Sequence, residues 1–106
     1  MTAVTFKNCT PHDILWNDGT VFPKSGIVAR VSATFSPLVE GVCDQVFGLV
    51  QDLPEPQEGT RWIVSALVLT AAKAQGRVDC VAPATGHPDC LRNAAGHILS
   101  VPGFVQ

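Results

Sequence analysis

The sequence predicts an α+β domain: a mainly antiparallel sheet, curled or closed into a small barrel, with one helix packed on it. Three observations lead there. Short apolar segments recur along the chain with turn residues between them, and only residues 65–76 place apolar side chains at helical spacing. Hydrophobic residues make up 46% of the chain and charged residues 15%, which fills a core and argues against disorder. The 106 residues suit a single domain, 1–106, and no linker or repeat divides them.

Val4 and Phe6 alternate with Thr5 and Lys7 as a first strand, and Pro11 makes Asn8 to His12 a loop. Asp13 to Asn17 and Thr20 to Phe22 read as two strands of a hairpin, because Asp18-Gly19 tolerates the positive φ of a tight turn. Pro23 to Gly26 is the next turn. The clearest alternation follows: Ile27, Ala29, Val31 and Ala33 share one face of a predicted strand, and Val28, Arg30, Ser32 and Thr34 share the other. Glu40-Gly41 separates two further strand-like segments, the second from about Val42 to Val50. After the proline-rich stretch 51–60, Arg61 to Val64 reads as a strand.

Ser65 then caps the predicted helix, with Leu67, Val68, Ala71 and Ala72 at its apolar positions. Gly76 ends it, and Lys73 suits the dipole of its last turn. Val78 to Val81 and His97 to Val101 are the closing strands, with a loop over Pro83 to Arg92. Closing the sheet on itself or on another subunit would protect its edges.

Composition narrows the function classes. The net charge is −2 with no basic run, which speaks against a nucleic-acid polymer as partner. No apolar stretch approaches the roughly 20 residues of a membrane helix, and Met1 to Lys7 lacks the pattern of a signal peptide. A cytoplasmic location with Cys9, Cys43, Cys80 and Cys90 reduced is the expectation. Low charge on so short a chain suggests a homo-oligomer.

The residues of chemical interest point to binding more than catalysis. Cys80, His87, Cys90 and His97 are zinc-ligand types, but their spacing lacks a paired-thiolate knuckle, so neither metal nor cofactor is assigned. Cys9 lies near His12, the nearest thing to a nucleophile and its base. The chain has no G-x-S-x-G elbow, phosphate loop or dinucleotide fingerprint. A helix beginning at Ser65, by contrast, leaves backbone N–H groups that favour an anion. Arg30, Arg61, Arg77 and Arg92 are the arginines able to offer phosphate a fork, with Asp79 a local partner for Arg77. Thr10 and His12 sit in a constrained loop and Ser25 in a tight turn. Trp16 and Trp62 either stack on a base or fill core.

The order of motifs adds a resemblance. Asn8-x-Thr10-Pro11-His12 is followed by Pro23-x-Ser25-Gly26-x-Val28-Ala29-Arg30-Val31 and Gly48-x-Val50-x-x-Leu53-Pro54-x-Pro56. Gly59-Thr60-x-x-Ile63-Val64-Ser65-Ala66-Leu67-Val68, Arg77-x-Asp79, Thr85-Gly86 and Arg92-Asn93-x-x-Gly96 complete the series. Over nearly its full length the chain resembles a family of small phage and prophage proteins. The family has other residue types at His87, Cys90 and His97. Such proteins look like signal sponges of the Sequestin and Lockin kind, which sequester the ADP-ribose-derived messengers of Thoeris defence. The resemblance implies a non-enzymatic binder of a small anionic nucleotide in the infected bacterial cytoplasm, with a site near Thr10, His12, Ser25, Arg30, Ser65 and Arg77. An enzyme degrading such a messenger and a structural or assembly protein of the phage particle are the alternatives.

Overall fold

A computed structural model describes residues 4–106. Its centre is a four-stranded open sheet. The first strand, β1 (Thr5–Asn8), pairs in parallel with β6 (Thr60–Ile63), which pairs in parallel with β7 (Cys80–Pro83). The edge strand β10 (Phe104–Val105) runs antiparallel to β7. Three separate two-stranded pieces are antiparallel: β2 (Ile14–Leu15) with β3 (Val21–Phe22), β4 (Ala33–Phe35) with β5 (Gln45–Phe47), and β8 (Leu91–Arg92) with β9 (Ile98–Ser100).

The α+β class and the predominance of antiparallel pairings therefore stand, but the curled or barrel-like sheet does not. Strands β1, β6 and β7 lie side by side in parallel with β10 at one edge, and the other six strands form short ribbons instead of continuing the sheet round to its other edge. The predicted strand over Ile27–Thr34 is also corrected. Its backbone bonds in two directions, Ala29 N–H to the Cys9 carbonyl and Arg30 to Gln51, so it is a connector and only Ala33 onward is strand.

The single helix α1 (Ala66–Ala74) forms where the sequence places it. Ser65 is its N-cap, accepting the Val68 N–H at 3.3 Å. Gly76 adopts φ 91°, which only glycine takes without strain. The N–H groups of Gly76 and Arg77 then close on Lys73 and Ala72 carbonyls, the Schellman pattern. The helix buries Val68, Leu69, Ala71 and Ala72, whereas Leu67 is exposed. It lies over Trp62, Val64, Cys80 and Ala82. On the opposite face of the sheet, Ile63 and Val81 pack with Ile14 and Val101. Residues 62 to 64 are all buried because both faces of β6 are covered, as parallel strands require.

Beside that second face, Phe6, Trp16, Phe22 and Phe104 form one aromatic cluster, with Trp16 and Phe22 centroids 4.7 Å apart. Trp16 and Trp62 thus serve packing. All four cysteines are free thiols. No helix among the described residues is long and apolar enough to cross a membrane.

Candidate functional site

Parallel strands direct their carboxyl ends the same way, and in open sheets with covering helices ligands bind beyond those ends. Here the ends of β1, β6 and β7 open onto a cleft of about 520 Å³. Thr10 and His12 enter it after β1, Ser65 and Ala66 after β6, and Thr85 after β7. Leu15, Ile98 and Leu99 form an apolar wall. The helix start lies in the same cleft. Among the described residues, the N–H groups of Ala66 and Leu67 have no protein partner, because Ser65 serves Val68 and its carbonyl serves Leu69.

The loop bearing Thr10 and His12 is held by Asn8, a residue only 2% exposed. Its amide donates to the carbonyls of His12 and Phe22, both at 2.8 Å. Its Oδ1 accepts from the Thr10 backbone at 2.9 Å and from the Thr10 hydroxyl at 2.6 Å. Ser25 secures the strand end by donating to the Asn8 carbonyl at 2.6 Å. The hydroxyls of Thr10 and Ser25 are thus committed within the protein. Asn8 is the organising residue: it opens the motif Asn8-x-Thr10-Pro11-His12 but was not among the expected site residues. A small amide at a strand end, two residues before a threonine, was its visible signal.

The six residues expected at the site do not converge. Thr10, His12 and Ser65 share the cleft. Ser25 stands behind it, through Asn8. Arg30 lies instead on a shallow depression of about 450 Å³ with Asp52 and Pro54. Arg77 is at the far end of α1, forked onto Asp79 at 2.9 Å and bonded to the Pro54 carbonyl at 2.8 Å. The Arg77–Asp79 hydrogen bonding holds the Asp79 carboxyl below its ordinary range and raises the Arg77 guanidinium. Among the described residues, no arginine or lysine lines the cleft. Arg61 bonds Gln106, and Arg92 touches the rim by donating to the Thr85 carbonyl at 2.8 Å.

Cys9 is buried in the core, and burial pushes its thiol up, the opposite of what a thiolate nucleophile needs. The Cys80 thiol is pushed up to about 11 by the same cause. Among the described residues, no group of three His, Cys, Asp or Glu side chains could hold a metal ion. Comparison with protein-family models, curated proteins and solved structures finds no match to this chain.

Proposed function

We propose that this chain is a non-enzymatic binder that sequesters a small anionic nucleotide in the cytoplasm of an infected bacterium. The observation that supports it best is the coincidence of three features in one cleft: the carboxyl ends of the parallel strands, a helix start at Ser65 and Ala66 whose first N–H groups have no protein partner, and an apolar wall. The acidic group of the ligand rests on the Ala66 and Leu67 N–H groups beside Ser65, and its ring lies against Leu15, Ile98 and Leu99. The electropositive element is the helix dipole, since the arginines face elsewhere. As part of the same proposal, the resemblance to small phage proteins suggests an ADP-ribose-derived messenger of Thoeris-type defence as the ligand class.

The test is calorimetric titration of the purified chain with ADP-ribose conjugates and cyclic dinucleotides. Binding of one of them at about micromolar strength, with the ligand recovered intact after denaturation, is the expected result. Ala66→Pro provides the site control. Proline fits the first helical position and deletes only a free N–H, and Ser65 already has φ −67° and ψ 160°, which a following proline favours. Losing one charge-assisted bond, about 1.5–3 kcal/mol, should weaken binding roughly 10- to 100-fold without loss of stability. Absence of heat with every nucleotide removes the proposal, and degraded ligand replaces it with the enzyme reading.

A further inference from the structure

The β4–β5 hairpin stands apart from the rest of the molecule. Its strands pack chiefly against each other, and its turn is built on Glu40 and Gly41, both with positive φ. Its base is tied down: the Gln75 side chain at the helix end donates to the Gly48 carbonyl and accepts the Val50 N–H. Beyond that base the hairpin is apolar and uncovered. Phe35 is 66% exposed, Leu38 71% and Leu49 78%, with Val39, Val42 and Val46 also exposed. From Val31 to Val50 only Glu40 and Asp44 carry charge. Solvent-facing strands that stay monomeric are normally guarded by charge, especially lysine. A two-stranded hairpin is also marginal when nothing covers it.

The whole chain also exposes more surface than a compact monomer of its mass. Its accessible area is 7030 Å². A compact monomer of 11.2 kDa exposes about 5,700 Å². The excess, about 1,300 Å², exceeds the roughly 800 Å² that each partner gives to a standard interface. The radius of gyration agrees: it is 15.5 Å, against about 13 Å for a compact chain of this length.

We propose that residues 33–49 are a dimerisation arm that docks on the same arm of a second copy of this chain. A second copy suits the patch because two-fold pairing needs only a self-complementary surface. An apolar patch with two charges, one of them at the turn, meets its own image with little charge to bury. The arm lies outside the lining of the cleft at the helix start, so the dimer and ligand binding stand or fall separately.

The experiment is sedimentation equilibrium of the full chain from 1 to 100 µM, with Leu38→Lys/Val42→Lys as the variant and near-ultraviolet dichroism reporting the tryptophan-containing body. The wild type is expected at twice 11.2 kDa and the variant at 11.2 kDa, with unchanged dichroism. Hydrogen exchange across 33–49 should slow with concentration in the wild type only. A monomeric wild type at 100 µM overturns the proposal, including the case in which a different protein covers the arm. A variant that retains its body dichroism and still dimerises overturns it as well.

Discussion

Replacing Asn8 with alanine tests the argument that one buried amide shapes the mouth of the cleft. The side chain makes four hydrogen bonds in a site only 2% exposed. After Asn8→Ala, the Thr10 hydroxyl can turn to the His12 carbonyl, already 2.9 Å away. The Thr10 N–H and the Phe22 carbonyl then lose the partner Asn8 supplied. At about 1–3 kcal/mol for each stranded group, the expected loss is about 3 kcal/mol. That is a large part of the roughly 5–15 kcal/mol available to a domain of this size. Urea unfolding followed by tryptophan fluorescence should show the midpoint falling by about 1.5 M at unchanged slope, for a slope of about 2 kcal/mol/M. Asn8→Asp sharpens the test, because it keeps the acceptor for Thr10 but aims a carboxylate at two carbonyls. Its folded-state pKa is then raised, so its deficit should shrink as pH falls and the protonated acid donates to one of them. A loss under 1 kcal/mol for Asn8→Ala, or an Asn8→Asp deficit independent of pH, refutes the reasoning.

Two further substitutions separate the ends of the helix. Ser65→Ala should cost about 0.5–1 kcal/mol, the low end for a cap because its bond is 3.3 Å, read by thermal melting. Arg77→Ala should cost about 2 kcal/mol at neutral pH by releasing Asp79 and the Pro54 carbonyl, both bonded inside 3 Å. Because the folded-state pKa of Asp79 is depressed, its stabilisation is complete above the ordinary carboxylate pKa of about 3.9 and disappears as pH falls through the lower folded value. The stability gap between wild type and Asp79→Asn should therefore close in acid, as chemical denaturation from pH 7 to pH 2 would show.

What the sequence revealed was local. Ser65 and Gly76 mark the helix because a cap and a left-handed stop are short-range chemistry. Asp18-Gly19 marks the hairpin for the same reason. Pairing across long stretches of chain was not legible. Strand β1 finds β6 with more than fifty residues between them, and no local pattern distinguishes a parallel from an antiparallel partner. The alternation at Ile27–Thr34 does not make a strand, because Ala29 meets the core while Arg30 bridges to Gln51, so no ladder forms. The two-residue strand β10 was too short to leave a period. The local Arg77–Asp79 pair was legible, but the placement of arginines at the site was not, for a further reason. A guanidinium is drawn to whichever carboxylate or carbonyl the fold brings near, and Arg77 found Asp79 and Pro54 at the far end of α1.

A cleft without arginine places a demand on its ligand. Micromolar binding requires about −8 kcal/mol. Two charge-assisted N–H bonds supply roughly 3–6 kcal/mol before the cost of immobilising the ligand. The remainder has to come from apolar area, and at about 25 cal/mol per Å² a buried ring face of about 150 Å² adds nearly 4 kcal/mol. Phosphate or ribose phosphate alone should therefore bind only in the millimolar range, whereas a nucleotide whose ring reaches Leu15, Ile98 and Leu99 should gain about a thousandfold. Ile98→Ser should remove most of that gain and leave the weak affinity for phosphate unchanged. If titration finds phosphate bound as tightly as the nucleotide, the affinity comes from charge alone. The apolar wall then has no part in recognition.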